Sequence, residues 1–383
     1  MIKKSTIKEI SLYTVGDSNK LSTWSNVPYL FAKSLEKRGI IVNRINICSN
    51  NKVEKLYNKY ILPILSYFYN DHYFSYERSF INRWLTKRKI KKSQYPNSQY
   101  SIFMSLSFYN QWNKLQPSIL FGDWTYDFII KNRLKRNPYW FEQSYINFQT
   151  NSINHADIII SLFPKCCEYI KKSTNNSNIY HLKTNVVNNC YHTEPTAELI
   201  AKKSKIAHII FIGSSRYISC AIELIKAVKL LNSNKKKYYL DIIGLKKEVF
   251  TESLPQEIIC YGYLNKSNDA EREIYYQLLM QASILVNTTP NWAGYSSTIE
   301  AMYYYTPIII SKYTEFVTEF GNNISFGKYS NNTSENIAKN IQEILHNPDI
   351  YNKLALNAHE TVSTYTWDNY IDKFLTLISN CSI

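Results

Sequence analysis

Short runs of continuous apolar residues recur along the sequence, and each is followed by a segment long enough for a helix. Such runs lie at 119–121, 158–160, 209–212 and 308–310. Apolar runs that do not alternate with polar residues are typical of strands buried on both faces of a sheet. Helices between such strands favour a parallel sheet. A chain of 383 residues is longer than a domain with a single hydrophobic core usually is. The pattern therefore predicts an α/β protein of two domains.

The same strand–helix alternation begins twice, on either side of a polar and charged stretch at 194–205. The first half opens with a predicted strand at 7–15, then a loop, then a helix with Pro28 in its first turn and Gly39 just past its end. Its last short strand is predicted at 181–188. The predicted divisions are a first domain at 1–195, a second at 196–364 and a terminal helix within 365–383.

The most informative segment runs from 282 to 311 and reads as strand, polar loop, helix and strand. Ser297 and Glu300 have the spacing of a capping box, which predicts a helix from Thr298 to Tyr305. Thr306 and Pro307 then end the helix before the next apolar run. On this pattern alone, Glu300 is a helix cap.

The sequences Ile299-Glu300-Ala301-Met302 and Thr306-Pro307-Ile308-Ile309 resemble the nucleotide-sugar site of retaining family-4 glycosyltransferases, the glycosyl transferases group 1. The resemblance implies the GT-B fold, two Rossmann-like domains facing a cleft with a C-terminal helix that crosses back to the first domain. It also implies that Glu300 holds the ribose hydroxyls of the donor. A carboxylate can accept two hydroxyl hydrogen bonds, and a helix N-terminus beside it offers N–H groups to a diphosphate.

The loop before this helix departs from the family pattern at two positions. Trp292 replaces the usual first glutamate, which meets the sugar, and Tyr295 replaces the usual glycine, with Gly294 one place early. The resemblance therefore makes Trp292 a candidate sugar or acceptor contact. It makes the remaining loop residues candidate donor contacts, namely Gly294, Tyr295, Ser296 and Ser297.

A second candidate donor segment begins at Gly213, directly after the first strand of the second domain. The family has an arginine beside this glycine and a lysine further on, whereas Ser214 and Ser219 stand at those positions. Arg216 is the nearby cation able to stabilise a leaving diphosphate, although an exposed arginine is more often a solvated charge. The resemblance also assigns Gly213 and Ser215 to the donor, and a base pocket to Tyr263 and Leu264.

The loop of residues 16–29 follows the first strand and resembles an S-W-S-x-x-P-Y segment that the family places near donor and acceptor. Gly16 and Asp17 are its candidate donor contacts, and Ser22 and Trp24 its candidate sugar or acceptor contacts. Packing of Trp24 beneath the following helix is an equal alternative.

Asp123 follows the predicted strand at 119–121, so it lies at a carboxyl end in the first domain. Family members carry a polar or acidic residue, or a histidine, near the reacting carbon here. Asp123 and Arg216 are therefore the candidate catalytic residues, with Asp123 orienting the acceptor hydroxyl or stabilising positive charge on the sugar. Capping of the following helix by Asp123 is an equal alternative.

The net charge of +15 calls for an anionic partner. No nucleic-acid-binding signature is present, so we expect none of that class. Aromatic residues precede a run of basic residues in 78–92, which suits an anionic membrane surface; an ordinary solvated helix is the alternative. No Asp-x-Asp pair occurs, so we expect metal-independent transfer, no cofactor, and a nucleotide-sugar as co-substrate.

Seven cysteines without a Cys-x-x-Cys pair suit a reducing cytosol. The first residues lack the apolar centre of a signal peptide, and no run is apolar enough for a span. We therefore expect a cytoplasmic protein, or one peripheral on the inner face of the cytoplasmic membrane.

The predicted function is transfer of a sugar, with retention, from a nucleotide-sugar to a glycan or lipid-linked acceptor, in synthesis of bacterial surface polysaccharide or glycoconjugate. The departures at Trp292, Ser214 and Ser219 support one competitor, a catalytically weakened binding or scaffold subunit. A second competitor is a nucleotide-sugar epimerase of the same fold.

Overall fold

The computed structural model describes residues 7–49, 51–69, 71–183, 186–187, 194–203, 207–233, 237–289 and 294–381. The chain divides into two compact units. The first contains Met1–Thr184 and Tyr370–Ile383, and the second contains Asn185–Asn369.

The described part of the first unit holds a six-stranded parallel sheet in the order β2-β1-β3-β4-β5-β6. The strands β4 and β5 are buried along their whole length, as their apolar sequences predict. The bounds are β1 (Glu9–Thr14), β2 (Ile41–Asn46), β3 (Tyr100–Phe103), β4 (Ser118–Gly122), β5 (Ile158–Ser161) and β6 (Ile179–His181).

Helices connect these strands, and the longest insertion separates β2 from β3. The bounds are α1 (Val27–Glu36), α2 (Asn51–Tyr60), α3 (Leu62–Phe68), α4 (Phe80–Lys92), α5 (Tyr126–Phe128), α6 (Trp140–His155) and α7 (Pro164–Ser173). A π-helical segment, Ile129–Arg133, extends α5. The insertion that carries α2, α3 and α4 is therefore the main elaboration of this unit.

The described part of the second unit repeats the plan with a parallel sheet ordered β12-β11-β10-β7-β8-β9. Its strands are β7 (Ala207–Ile212), β8 (Tyr238–Ile243), β9 (Ile258–Gly262), β10 (Ile284–Asn287), β11 (Ile308–Ile310) and β12 (Gly327–Tyr329). Its helices are α8 (Glu198–Lys203), α9 (Ile218–Asn232), α10 (Asp269–Gln281), α11 (Ser296–Tyr303), α12 (Thr314–Phe320), α13 (Ser334–Leu345) and α14 (Pro348–Val362).

The terminal helix α15 (Trp367–Asn380) returns the chain to the first unit, as the sequence predicts. The ring of Phe374 meets Phe31 of α1 edge-on at 5.0 Å, and Asp372 pairs with Arg38 at 2.8 Å. Burial of the aromatic face of α15 against α1 is what attaches it there.

Three boundaries differ from the sequence-based ones. The last described strand of the first unit is β6, which ends at His181, whereas the sequence predicts a strand that begins there and runs to 188. Residues 184–185 and 188 lie outside the described part. The helix α11 begins and ends two residues before its predicted bounds. In the second unit, which begins at Asn185 and not at 196, the Val187 N–H donates to the Tyr365 carbonyl at 2.6 Å.

Candidate functional site

A cavity of about 350 Å³ lies at the carboxyl edge of the first sheet. Strands β1 and β3 are neighbours there although they are not consecutive, and such a switch of strand order is where open parallel sheets bind ligands. Residues at or just after the ends of β1, β2, β3 and β4 form much of the wall: Thr14, Val15, Ile47, Cys48, Ser49, Met104, Ser105, Gly122 and Asp123. A concave pocket lined by both apolar and polar side chains therefore exists within the first unit.

Asp123 lies on this cavity. The cap of the next helix is Thr125, whose hydroxyl accepts from the Phe128 N–H at 3.2 Å, so the alternative that Asp123 caps α5 is wrong. One Asp123 oxygen accepts from the N–H of Trp124 at 2.8 Å. Burial raises the pKa of the Asp123 carboxyl, although this hydrogen bond acts to lower it. The carboxyl therefore holds its proton more tightly than that of an ordinary aspartate.

Trp24 borders the cavity and also packs edge-on against Phe121, with ring centroids 6.1 Å apart. The half-buried ring thus packs on β4, and its contact with a sugar or acceptor stays a prediction. The backbone of Trp24, Ser25 and Asn26 is left-handed, with φ of 37°, 54° and 73°. Each such non-glycine residue costs roughly 1–2 kcal/mol, so the turn that presents Trp24 stores strain.

Gly16, Asp17 and Ser22 do not line the cavity wall. Gly16 has a φ of +106°, which suits glycine, and its N–H donates to Asn46 at 3.2 Å. The Asp17 carboxylate accepts from the N–H of Asn19 at 2.9 Å, which lowers its pKa. Their donor and acceptor roles stay predictions, and their visible contacts shape the loop after β1.

Arg78 was not predicted as a site residue, yet it lines the same cavity. Its guanidinium lies 4.8 Å from the ring centroid of Tyr126 and donates to Ser75 at 2.8 Å. The sequence showed Arg78 only as the first member of a basic run. Its distance in sequence from Asp123 gave no signal that the two share a wall.

A fully buried carboxylate, Glu142, anchors this wall. It accepts from Arg136 at 2.7 and 2.8 Å and from the Tyr126 hydroxyl at 2.9 Å. Backbone N–H groups of Tyr73 and Tyr139 complete its shell, each at 3.0 Å. Burial alone would raise the pKa of Glu142, but these hydrogen bonds, led by Arg136, lower it to about 2. Tyr126 is thereby held in place on the cavity.

Two predicted donor segments of the second unit, the loops after β7 and β10, start at its own switch of strand order, where β10 pairs with β7. The loop after β7 carries Gly213, Ser215 and Arg216, and the loop after β10 leads into α11. A Cβ at Gly213 would lie 2.8 Å from the ring of Phe211, so the close approach there excludes a larger residue. The two loops therefore start from adjacent strand ends.

Arg216 and Ser215 are exposed. Within the described ranges, the Arg216 guanidinium has neither an ion pair nor a hydrogen bond. An uncommitted cation at the end of β7 is available to an anionic ligand, but its role at a diphosphate stays a prediction.

The capping box predicted at the start of α11 is wrong. Tyr295 is the N-cap, and the helix begins at Ser296, which puts Glu300 beyond the first turn. The ring of Tyr295 is buried against Phe316 with centroids 5.6 Å apart, so this residue can offer a ligand only its backbone. Gly294 is exposed, and Trp292 lies outside the described residues.

Glu300 is buried and bound by three side chains from the segment before β10. Its Oε2 accepts from Tyr275 at 2.7 Å and from Lys266 at 3.2 Å, and its Oε1 accepts from Tyr276 at 3.3 Å. Burial, followed by the Glu300 charge, raises the pKa of Tyr275 well above its usual range. The ribose role of Glu300 stays a prediction, and any ligand must share the carboxylate with these partners.

The predicted base-pocket residues differ in exposure. Tyr263 is 70% exposed, whereas Leu264 is buried in the core with Tyr275 and Ile243. Leu264 can therefore contribute only backbone atoms to a nucleotide. Within the described ranges no group of three or more His, Cys, Asp or Glu side chains could hold a metal ion, and no helix is long and apolar enough to cross a membrane.

Residues 196–361 match the model of the family described as Glycosyl transferases group 1. The matched range lies within the second unit. It contains the loop after β7, Glu300 and the loop after β9. The sequence matches no curated protein.

Solved structures resemble nearly the whole chain and not only the range matched by the family model. Sucrose-phosphate synthase from Thermosynechococcus elongatus has a TM-score of 0.64 at 14% identity, over 97% of this chain and 98% of that one. WaaG, a glycosyltransferase involved in lipopolysaccharide biosynthesis, has a TM-score of 0.61 at 12% identity, over 98% and 100%. HepE from Anabaena, in complex with UDP-glucose, has 0.60 at 12%, over 97% and 99%. These likenesses are of the two-domain α/β fold, as the sequence predicts.

Proposed function

We propose that this protein is a retaining glycosyltransferase that moves a sugar from a nucleotide-sugar donor to a glycan or lipid-linked acceptor. The observation that carries the proposal is the match to the Glycosyl transferases group 1 model, whose range of residues 196–361 includes every donor segment predicted in the second half. The relatives of similar fold include WaaG, a glycosyltransferase, and HepE, described in complex with UDP-glucose.

In this proposal the loop after β7 and the N-terminus of α11 receive the diphosphate. The free N–H groups of a helix N-terminus favour an anion, and Arg216 adds a positive charge that would stabilise the leaving group. Lys266 adds a second positive charge beside Glu300. These two cations replace those absent at Ser214 and Ser219.

The cavity of the first unit is the proposed acceptor site. A carboxylate held partly out of water at Asp123 can accept the proton of an acceptor hydroxyl or stabilise positive charge on the sugar. Trp24 and Arg78 on the same cavity would offer an aromatic face and a hydrogen-bond donor to a sugar ring. Transfer is proposed to need no metal ion.

The proposed setting is cytoplasmic synthesis of surface polysaccharide or glycoconjugate, with peripheral contact to an anionic membrane. Part of the basic run at 78–92 remains available for this contact, since Arg88, Lys91 and Lys92 are exposed.

A weakened binding or scaffold subunit is a second candidate, which the three internal partners of Glu300 favour. Purified protein should be screened by thermal shift against nucleoside diphosphates and their sugars, beginning with UDP-glucose, because binding to the native state raises Tm. Hits should then be incubated with acceptor mixtures and the anomeric configuration of the product read by NMR.

A retained anomer in an acceptor-dependent product supports the proposal. Binding without turnover favours the subunit, an altered sugar without acceptor indicates an epimerase, and no nucleotide effect on Tm contradicts all three.

A further inference from the structure

The helices α2 and α3 carry an apolar stripe that faces solvent. Leu56, Tyr60 and Ile64 are 58%, 56% and 59% exposed, and Tyr67 and Phe68 are 80% and 69% exposed. Leu56, Tyr60, Ile64 and Phe68 recur every four residues, and Tyr67 lies three residues after Ile64. This spacing places them along one side of two nearly continuous helices, separated only at residue 61. A surface of this kind on one element marks an interaction site. We call these five residues the apolar stripe.

The opposite side of the two helices is already packed. Tyr57 is buried and its ring lies 5.4 Å from that of Tyr76, in a core that also includes Val53, Leu65 and Phe141. Because these contacts orient α2 and α3 within the first unit, rotation of the helices cannot bury the apolar stripe without breaking that core.

The exposed charges of α2 and α3 are of one sign. Lys52, Lys55 and Lys59 are all exposed on α2. The single carboxylate of α2 and α3, Glu54, is half-buried and lines the cavity that holds Asp123. The solvent face of α2 therefore combines apolar and cationic side chains, which matches an anionic lipid surface and opposes a cationic protein partner.

A large aromatic side chain extends this face beyond α3. Trp140 is 72% exposed, and its indole N–H donates to the hydroxyl of Tyr69 at 3.2 Å. Tyr69 directly follows α3, so the indole adjoins the end of the apolar stripe. Tryptophan and tyrosine are enriched where membrane proteins meet the headgroup region.

The basic run at 78–92 is less available than its sequence indicates. Arg83 donates to the Ser144 carbonyl at 3.1 Å, Lys87 lies over the ring of Phe148, and Lys89 donates to the Cys48 carbonyl at 2.7 Å. The last contact holds the end of α4 beside the start of α2. The proposed membrane surface is therefore argued from α2 and α3 and not from the basic run.

We propose that the apolar stripe enters the interfacial layer of an anionic bilayer, with Lys52, Lys55 and Lys59 binding its headgroups. The part of this inference that concerns a lipid-linked acceptor rests on the proposed function. The helix α2 connects the two sites, because Glu54 borders the acceptor cavity while Leu56 and Tyr60 face outward. An acceptor anchored in that leaflet would present its polar head next to the cavity of Asp123.

The test is co-sedimentation of the full chain with vesicles of phosphatidylcholine, with and without phosphatidylglycerol. A stripe variant replaces the five residues with serine, and a lysine variant replaces Lys52, Lys55 and Lys59 with glutamine. A matched control replaces five exposed apolar residues elsewhere with serine: Leu115, Leu134, Val249, Ile274 and Ile350. Circular dichroism and Tm establish that each variant is folded.

Wild type and control should bind the anionic vesicles and leave the neutral ones largely in solution. The lysine variant should lose about a hundredfold in partitioning at low salt, from about 1 kcal/mol for each basic residue. The stripe variant should lose at least about tenfold at any salt, since apolar insertion is not screened.

Equal binding of the stripe variant and wild type would overturn the proposal. A second result would also overturn it: wild type forms dimers and binds no vesicles, and the stripe variant is monomeric. The apolar stripe would then be covered by a second copy of the chain. Turnover of a water-soluble acceptor should be unchanged in the stripe variant. If wild type turns over no substrate but still binds vesicles through the stripe, the proposed function fails and the membrane surface stands.

Discussion

The Nζ atom of Lys266 lies 3.2 Å from Oε2 of Glu300, and both side chains are largely buried. Together with Lys266, the hydroxyls of Tyr275 and Tyr276 bind the carboxylate that the family resemblance assigns to the donor ribose. Glu300 consequently has two separable roles, one in holding the core of the second unit and one proposed at the donor.

Glu300→Ala should lower both nucleotide affinity and stability. Removing the carboxylate leaves three buried donors without their acceptor, at a cost of roughly 1–3 kcal/mol. Tyr275→Phe is the matched control, because it removes one donor and keeps the carboxylate. Calorimetric titration with the nucleoside diphosphate and a Tm for each variant separate the roles. Equal affinity in Glu300→Ala and Tyr275→Phe would leave Glu300 a structural role only.

Asp123→Asn should slow transfer by about a hundredfold or more, the usual contribution of a positioned acid or base. Burial raises the pKa of Asp123, so ionising it costs folded-state stability as pH rises above its ordinary value of 3.8. The asparagine variant removes that cost, and its Tm at neutral pH should equal or exceed the wild-type value.

The pH–rate profile supplies the second readout for Asp123. Wild-type activity should rise with pH as the Asp123 carboxyl ionises. This rise at acidic pH should be absent from the residual activity of Asp123→Asn. Asp127→Asn is the control, since its carboxylate pairs with Lys131 at 3.0 Å and is not part of the cavity wall. A normal rate in Asp123→Asn would exclude the catalytic role.

Glu142 should make the first unit sensitive to acid. Its pKa falls from 4.5 to about 2 on folding, so it stabilises the protein above pH 4.5 and loses this effect as pH falls towards 2. The full difference corresponds to roughly 3 kcal/mol. Calorimetric melting of wild type and Glu142→Gln should show a gap at pH 7 that narrows through that window. A gap independent of pH would contradict the lowered pKa.

Arg216→Ala should weaken nucleoside diphosphate binding by about tenfold to a hundredfold, in line with loss of a charged hydrogen bond. Affinity for the uncharged nucleoside should be unaffected, because the proposed partner is the diphosphate. Lys226→Ala serves as the control, since Lys226 pairs with Glu223 at 2.7 Å on α9. Parallel losses for nucleoside and diphosphate would remove Arg216 from that role.

EDTA should leave the transfer rate nearly unchanged. The sequence has no Asp-x-Asp pair to hold a divalent cation at the diphosphate, and the proposed charges are supplied by Arg216 and Lys266. The rate should be measured before and after chelation and again after manganese is added. Loss of activity that manganese restores would contradict metal-independent transfer.

The sequence placed Glu300 on a helix, but the capping box that its spacing predicts is wrong. The spacing from Ser297 to Glu300 is that of a capping box, yet the helix begins at Ser296 with Tyr295 as its cap. Capping depends on where the chain enters the helix, and burial of the Tyr295 ring against Phe316 sets that entry. A tertiary contact thus overrode a local signal.

The sequence by itself determined the alternation of buried strands and helices, the two-domain α/β fold and the terminal helix that returns to the first unit. The alternation follows from local periodicity, because a strand buried on both faces must be apolar throughout, and the family resemblance implied the return of the terminal helix. Only the tertiary structure brought Arg78 and Asp123 to one cavity, gave Glu300 its three partners and left the apolar stripe of α2 and α3 in solvent. Each of these depends on which faces of distant segments meet, and residue spacing along the chain carries no record of that.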